Sequence, residues 1–394
     1  MARGAAMRIL LGGIPLGCDN IGDEAIIACV VRMLKESLPG VELTVATADP
    51  ATAVLLGVGV EPPFGFAGCG LEGFLETVRR YDAYVWCGAT GLSDYPHVAL
   101  DLLELAQKAG VQTFVWGVGM DDELNPVFFK VHGKRRMLLR LFGLVGWYER
   151  RLRARLARRI SRILPRCKGV WLRDPQSASM LASMGFSDAK VAADTAILMR
   201  EGRAPARPVA QERDPPVSVA ASCDPPVLGL CISTQRQVAD LKGVGEMIAA
   251  VRASGARVLG IPMNPKTDRA LLEKLGVDCI PGTTPEAVAE AAATCDVVLS
   301  SRLHLLILAA NVGTPILGIA RGSKLANWLD NFGRTVEGSV FDCDWKRVTE
   351  HVLAALHDRG DWDEVREAAY ARLTDRFEKA RGELVHALEE CHAG

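Results

Sequence analysis

The sequence predicts an α/β protein with two domains that face each other across a cleft, followed by C-terminal helices. Short apolar segments alternate with segments of helical periodicity along most of the 394 residues. Segments that are apolar on both faces indicate parallel sheets covered by helices, and the length allows two domains of ordinary size. Ligands of such sheets bind at the carboxyl ends of the strands, so function is expected in the loops that follow strands.

The N-terminal half supplies the first sheet. Its predicted strands are Met7–Gly13, Val41–Ala48, Ala83–Cys87, Gln112–Val118 and Gly169–Leu172, and its predicted helices are Glu24–Leu38, Val98–Ala109 and Gln176–Met184. The second half repeats the alternation. Its predicted strands are Val227–Ser233, Val258–Pro262, Val297–Ser300 and Pro315–Ile319, and its predicted helices are Val238–Ala253, Asp268–Leu275, Pro285–Cys295 and Leu305–Asn311.

Composition indicates where the domains join. Residues 200–227 hold six prolines and no sustained periodicity, which is typical of a linker. After Cys343 the sequence is amphipathic and helical to its end. We therefore expect an N-terminal domain over residues 1–205, a linker over 206–226, a C-terminal domain over 227–345 and helices over 346–394.

Composition also excludes several classes of protein. A net charge of −1 with 49% hydrophobic residues excludes a disordered tail protein and an overall basic nucleic-acid binder. No run of about 18 apolar residues predicts a membrane-spanning helix. Eleven cysteines without a CxxC pair favour small buried side chains in a reducing compartment over disulfides or zinc. The apolar start continues directly into a loop and a helix rather than a cleavage site, so we expect a cytoplasmic protein. The sequence contains no evident metal-binding cluster, so we also expect no metal.

The segment GGIPLGCDNIGDEAI, residues 12–26, follows the first predicted strand. Its glycines would let the backbone approach a ligand, and the first N–H groups of the next helix favour an anion. Asp19, Asn20 and Asp23 are unusually polar for this position. Helix capping and a glycine turn would explain the segment equally well by themselves, and without a GxGxxG pattern dinucleotide binding has little support.

The segment VVLSSRLHLLILAANVGTPILGIA, residues 297–320, carries Arg302 and His304 at the end of a predicted strand and the start of an apolar helix. Arginine offers a bidentate fork for carboxylate or phosphate, and histidine exchanges a proton near neutral pH. The alternative interpretation is that the two residues only anchor this helix to its neighbour.

Further loops carry polar residues after predicted strands. In WLRDPQSASMLASMG, Arg173 and Asp174 either bind an anion or form an internal ion pair at a helix start. Loops of the second domain contain Arg236, then Asn264 with Asp268, and finally Lys324. Each loop is a weak signal alone, and their shared position at strand ends is the informative feature.

Together, DNIGDEA, WLRD, PMNPKTD, SSRLHLLILAANVGTP and the following Lys324 resemble the polysaccharide pyruvyl transferase family, of the cell-surface-anchoring type. The resemblance covers roughly residues 7–335. It implies a GT-B-like fold of two Rossmann-like domains. It also implies transfer of a pyruvyl group from phosphoenolpyruvate to two hydroxyls of a cell-envelope saccharide, without another cofactor. The loops GGIPLG and WCGATG depart from the family pattern and leave the acceptor sugar open.

The resemblance also implies roles for individual residues. Arg173 and Arg302 match the arginines that hold phosphoenolpyruvate, His304 matches the proton donor, and Lys324 matches a basic residue after the next strand. Our catalytic candidates are His304, Lys324 and Asp23. The substrate-binding candidates are Arg173, Arg302, Arg236, Asp19, Asn20, Asn264 and Asp268.

The residues fit this chemistry independently, because phosphoenolpyruvate carries a carboxylate and a phosphate that arginine forks and helix N-termini can hold. Two other classes stay open. A GT-B glycosyltransferase could use Arg236, Arg302 and Lys324 to bind a nucleotide diphosphate. A non-catalytic, membrane-associated scaffold would need only a stable core and a basic helix.

Residues 130–168 contain fourteen Lys and Arg and one acidic residue, Glu149. Arginines alternate with Leu138, Phe142 and Trp147 at helical spacing, as in helices that lie on anionic membranes. A solvated arginine face on a packed helix explains the pattern equally well, and nucleic acid is disfavoured because no recognition module accompanies the charge. A lipid-linked saccharide diphosphate at the inner face of the membrane would suit both the arginines and the apolar residues.

Overall fold

A computed structural model describes residues 6–200, 225–233, 238 and 240–393 of the chain. The chain forms two compact units. Among the described residues, the first unit comprises 6–18, Ile26–Thr195 and 372–393. The second unit comprises Asp19–Ala25 and, with the gaps given above, 196–371.

The first unit is built on a parallel sheet of seven strands in the order β3-β2-β1-β4-β5-β6-β7. The strands are β1 Arg8–Gly12, β2 Glu42–Ala46, β3 Gly59–Glu61, β4 Ala83–Cys87, β5 Gln112–Val118, β6 Gly169–Leu172 and β7 Lys190–Val191. The central strand β4 is buried along its whole length because helices cover both faces of a parallel sheet. The large side chains of Trp86, Trp116 and Trp171 fill this core.

The helices of the first unit connect these strands. They are α2 Pro50–Leu56, α3 Phe74–Val78, α4 Gly91–Asp94, α5 Pro96–Lys108, α6 Pro126–Phe129, α7 Gly133–Leu141, α8 Val145–Ile163 and α9 Pro175–Ser183. Two helices, α1 Ile21–Ser37 and α16 Trp362–Ala393, are each divided between the units. The part of α1 from Ile26 onward and the part of α16 from Arg372 onward belong to the first unit.

The second unit contains a parallel sheet of five strands in the order β12-β11-β10-β8-β9. The strands are β8 Val227–Cys231, β9 Arg257–Gly260, β10 Val297–Ser300, β11 Ile316–Ala320 and β12 Gly338–Ser339. Its remaining helices are α10 Leu241–Ala253, α11 Thr267–Lys274, α12 Pro285–Ala293, α13 Leu303–Asn311, α14 Ser323–Asp330 and α15 Trp345–His357. Helix α13 is apolar except for His304 and Asn311, and all of its residues other than His304 are buried.

The predicted fold class is confirmed: the chain is α/β, with two parallel sheets and helices toward its C-terminus. The predicted strands all occur, whereas β3, β7 and β12 were not predicted because two or three residues are too few to show a period. Most of the predicted linker, 206–226, lies outside the described residues. The predicted boundaries place residues 19–25 in the first domain and all of α16 in a separate C-terminal segment. The compact units instead assign 19–25 to the second unit and divide α16 at Arg372.

Three further findings concern the described residues. No helix among them combines the length and apolar character needed to cross a bilayer. The ten described cysteines are free thiols, and four of them, Cys29, Cys87, Cys231 and Cys295, are buried. No group of three or more His, Cys, Asp or Glu side chains in the described part of the chain has an arrangement that could hold a metal ion.

Candidate active site

The segment that follows β10 forms a tight connection into α13. The Ser300 hydroxyl accepts a hydrogen bond from the Arg302 backbone N–H, 2.8 Å between N and Oγ, and donates to the Arg302 carbonyl oxygen at 3.0 Å. The Ser301 hydroxyl accepts from the Ser233 backbone N–H, with 2.8 Å between the atoms, and thereby ties this segment to the end of β8. These bonds fix Arg302 in an extended conformation just before the first turn of α13.

Arg302 is held by one carboxylate. Its Nε and Nη2 donate to the two oxygens of Asp268, with 2.9 and 2.8 Å between the atoms. Asp268 is completely buried and Arg302 nearly so. Burial alone would lower the pKa of Arg302, but Asp268, with further contributions from Cys231 and Asp23, raises it above its ordinary value. The guanidinium is therefore a fixed, permanently charged group.

Asn264 and Asp268 organise the loop beneath this arginine. The side-chain oxygen of Asn264 accepts hydrogen bonds from the backbone N–H groups of Lys266 and Thr267, at 3.1 and 2.8 Å. The backbone N–H of Asn264 donates to Asp268 at 3.0 Å. Both side chains are thus used to start α11 and to hold Arg302. Their role in substrate binding stays a prediction.

The DNIGDEA segment lies in the same unit as Arg302. Asp19 has a positive φ of 59° and its carboxylate pairs with Lys266, 2.5 Å between Oδ2 and Nζ. The Ile21 backbone N–H donates to the Met263 carbonyl at 3.1 Å. Asn20 begins the helix, since its carbonyl accepts from the Asp23 N–H and its amide donates to the Asp23 carboxylate at 2.6 Å. The start of α1 is therefore attached to the loop that carries Asn264.

Gly22 and His304 are in direct contact. A β-carbon at Gly22 would overlap Nδ1 of His304 and lie 2.9 Å from the histidine Cβ, so any larger residue would displace the imidazole. The buried carboxylate of Asp23, the next residue, is close enough to Arg302 to raise the pKa of that arginine. Residues from two segments that are about 280 positions apart thus meet at the end of β10.

The two remaining candidates of the second domain are Lys324 and Arg236. Lys324 is half-buried in the first turn of α14, at the carboxyl end of β11, the strand that neighbours β10. Arg236 lies outside the described residues.

Arg173 occupies the corresponding position in the first unit, directly after β6 and before α9. It is buried, with 3.3 Å between its Nε and the Asp174 carboxylate and 3.8 Å between its Nη1 and Asp194. Its Nη2 is buried and has no hydrogen-bond partner among the described residues. Asp174 also accepts from the Ser177 N–H at 2.8 Å and begins α9, so the interpretation of this pair as an internal ion pair at a helix start is confirmed, and anion binding stays a prediction.

The sequence did not predict three residues of these sites. It marks Gly22 only as a helix start, and it does not distinguish Gly119, where a β-carbon would overlap Nη2 of Arg173. Arg376 of α16 lies near Asp174; burial lowers its pKa, and Asp174 offsets part of this effect. The position of Gly119 directly after an apolar strand could have indicated this glycine. Arg376 is one of many charged residues in α16, and nothing in the sequence distinguishes it from the others.

Solved structures with the same fold are glycosyltransferases and sugar epimerases of the GT-B class. The UDP-GlcNAc 2-epimerase of Neisseria meningitidis bound to UDP-GlcNAc is 12% identical, with 98% of this chain and 100% of that chain covered and a TM-score of 0.55. The spinosyn forosaminyltransferase is 14% identical, with 99% and 100% covered and a TM-score of 0.54. An Anabaena protein, HepE, in complex with UDP and glucose is 12% identical, with 98% and 99% covered and a TM-score of 0.55. At this identity the likeness establishes the GT-B-like fold.

The two parallel sheets and their helices define an α/β protein with a GT-B-like architecture. The model of the family described as polysaccharide pyruvyl transferase matches residues 20–323, and this chain belongs to that family. The match includes both segments that meet at the end of β10 and confirms the family predicted from the sequence. Membership implies a role in polysaccharide biosynthesis with a saccharide acceptor. No curated protein matches the chain significantly.

Proposed function

We propose that this protein transfers the pyruvyl group of phosphoenolpyruvate to two hydroxyls of a cell-envelope saccharide and forms a cyclic ketal. The observation that carries the proposal is the contact of His304 with the start of α1 beside Arg302 and its buried partner Asp268. This cluster combines a fixed cation, a group able to exchange a proton and the N-terminus of α13. A substrate with two anionic groups and a carbon that must be protonated requires these three functions.

In the proposed reaction, His304 donates a proton to the methylene carbon of phosphoenolpyruvate, which becomes a methyl group. The adjacent carbon becomes cationic and is attacked by the first hydroxyl. The bond from this carbon to the phosphate oxygen then breaks, and the second hydroxyl closes the ketal. Of the two hydroxyl protons, one restores the proton that His304 donated and the other leaves with phosphate. Asp23 is our candidate for accepting a hydroxyl proton, because it is a buried carboxylate in the same cluster.

Arg302 is proposed to hold the anionic groups of phosphoenolpyruvate together with Lys324 and the N-terminus of α13. Asp268 is then a positioning residue: it orients the guanidinium and is fully buried behind it. The ion pair is nearly neutral as a unit, so the additional positive potential has to come from Lys324 and from the helix N–H groups. Arg173, whose buried Nη2 has no hydrogen-bond partner among the described residues, is also proposed as an anion ligand.

The reaction is tested with the full-length protein, phosphoenolpyruvate and a panel of envelope saccharides. We expect phosphate release that depends on the acceptor, and an acceptor product whose mass and NMR methyl signal correspond to a pyruvate ketal. UDP-sugars serve as the alternative donors. Sugar transfer from a UDP-sugar without phosphate release from phosphoenolpyruvate would assign the protein to the glycosyltransferases instead.

The contact between Gly22 and His304 supplies a sharper test. Gly22→Ala should displace the imidazole and reduce turnover by up to about 10²-fold, while the affinity for phosphoenolpyruvate changes little. Gly245→Ala is the matched control, because it also lies in a helix of the second unit and a β-carbon added there would have no atom within 4 Å. Equal turnover of the two variants would exclude His304 from the proposed step.

A further inference from the structure

One surface of the first unit combines exposed apolar side chains with unpaired positive charge. It consists of α7 and the exposed side chains of α8, and we call it the α7–α8 surface. Helix α7 contributes no buried residue at all. The exposed apolar side chains on this surface are Met137 at 65%, Leu138 at 56%, Leu141 at 76%, Phe142 at 69%, Leu144 at 41% and Trp147 at 48%. Large apolar groups gathered in this way mark an interaction site.

The second half of α8 is firmly packed. Leu156, Ile160 and Ile163 are buried at helical spacing. Two ion pairs join the same half to α5: Arg159 with Asp101, 2.5 Å between Nη2 and Oδ1, and Arg162 with Glu104, 3.2 Å between Nη2 and Oε1. The exposed surface is therefore presented by a helix that is already anchored to the fold.

The charge of this surface is predominantly positive. The 130–168 segment has a net charge of about +13, against about −14 for the rest of the chain. Arg151 lies over the ring of Trp147 at 5.4 Å, and Arg135 lies over the ring of Tyr148 at 4.4 Å. The side chains of seven basic residues form no hydrogen bond or ion pair with any described residue: Lys134, Arg136, Arg140, Arg150, Arg153, Arg155 and Arg158.

We propose that the α7–α8 surface binds the interface of a membrane that contains anionic phospholipids. Cations attract the lipid phosphates, and the apolar and aromatic side chains enter the boundary between headgroups and acyl chains. A polyanion such as nucleic acid would engage the arginines but would leave Leu141 and Phe142 in water, so it explains only half of the surface. Combined with the proposed function, on which this last step rests, the surface would bring the enzyme to saccharides carried by lipids.

Co-sedimentation with vesicles tests the proposal. The wild-type protein should bind vesicles of phosphatidylcholine and phosphatidylglycerol at about 0.1 M salt and be released at about 1 M, because the Debye length falls from about 10 Å to about 3 Å. Vesicles of phosphatidylcholine alone should bind it at least about tenfold more weakly, since each basic residue near an anionic surface contributes on the order of fivefold in affinity.

Two variants separate the charged from the apolar contribution. A first triple variant, Arg150→Glu with Arg153→Glu and Arg158→Glu, should abolish binding. Its control is the triple variant Arg79→Glu with Lys274→Glu and Lys346→Glu, which makes the same change in net charge at exposed positions elsewhere and should still bind. Leu141→Ser with Phe142→Ser should weaken binding at least about fivefold. The control for this pair is Val54→Ser with Leu55→Ser on α2, where the side chains are 74% and 86% exposed.

Three outcomes would overturn the proposal: no binding by the wild-type protein at low salt, equal losses in the control variants, or retention by the Leu141 and Phe142 variant together with tight binding to soluble polyanions. Circular dichroism of every variant verifies the fold. The assay contains neither phosphoenolpyruvate nor sugar, so a negative result leaves the proposed reaction untouched, and an inactive enzyme can still bind vesicles.

Discussion

Arg302 and Arg173 occupy equivalent positions in the two units and are held in different ways. Each follows a buried parallel strand, precedes a helix and is more than nine-tenths buried. Arg302 gives two hydrogen bonds of 2.9 and 2.8 Å to Asp268, which has no exposed surface. Arg173 gives one of 3.3 Å to Asp174, and its Nη2 lacks a partner among the described residues. The same local sequence pattern thus produces a short, bidentate ion pair in one unit and longer contacts, to Asp174 and Asp194, in the other.

From these contacts we infer that the position of Arg302 depends on its protein partner, whereas that of Arg173 depends more on a bound ligand. Breaking a buried, bidentate ion pair leaves a charge without compensation, so Arg302 and Asp268 are required for stability as well as for function. A buried donor without an acceptor carries a desolvation cost that a bound anion would remove. We therefore expect Arg173 to be tied more closely to substrate binding than to folding.

The largest effect is expected at His304, because the second unit supplies the proton transfer and we assign no such group to the first. His304→Gln should reduce turnover by about 10²–10⁴-fold and leave the affinity for phosphoenolpyruvate nearly unchanged. Single-turnover rates and calorimetric titration separate the two quantities. Wild-type turnover in this variant would eliminate the acid role.

Asp268→Ala is expected to have the next largest effect. Removing this carboxylate leaves Arg302 buried and unpaired, which should lower the free energy of unfolding by about 3–5 kcal/mol. Urea denaturation measures the change. Asp278→Ala, an exposed aspartate of the same unit, serves as the control and should stay within about 0.5 kcal/mol of the wild type. Equal stability of both variants would show that the pair does not hold the unit together.

The two arginines themselves should respond differently. Arg173→Ala should weaken phosphoenolpyruvate binding by about one to two decades, the equivalent of about 1.5–3 kcal/mol, and should lower stability less than Arg302→Ala because its contacts with Asp174 and Asp194 are longer. Arg302→Ala should weaken binding and also destabilise the protein, because Asp268 is then left unpaired. Lysine should restore each only in part, since it lacks the planar fork. Calorimetric titrations and denaturation curves of the four variants decide the comparison, and identical behaviour at both positions would contradict it.

Gly119→Ala should have the smallest effect and bears on the first unit alone. A β-carbon at this position would displace the guanidinium of Arg173 without removing its charge, so we expect a loss of affinity of up to about tenfold. Gly382→Ala, in α16 and without an atom within 4 Å of the added β-carbon, is the control. If Gly119→Ala binds phosphoenolpyruvate as the wild type does, the position of Arg173 does not matter for this substrate.

Much of the fold could be predicted, because parallel strands that are buried on both faces are apolar without interruption. The predicted strands at Ala83–Cys87, Gln112–Val118 and Val297–Ser300 coincide with the observed ones. The short edge strands could not be predicted, since pairing rather than composition creates them. The sequence also could not show that residues 19–25 belong to the second unit, because a helix that contributes to two units has one continuous hydrophobic period along its length.

The α/β class, the family and the adjacency of Arg302 and His304 could be predicted from the amino-acid sequence, because they depend on local periodicity and on short motifs. Three contacts became known from the structure: Asp268 is the partner of Arg302, Gly22 lies against His304, and Nη2 of Arg173 is without a partner among the described residues. Hydrophobic patterns report which face of an element is buried. They carry no information about which distant polar groups meet, since this depends on sheet register and on the paths of the connecting loops.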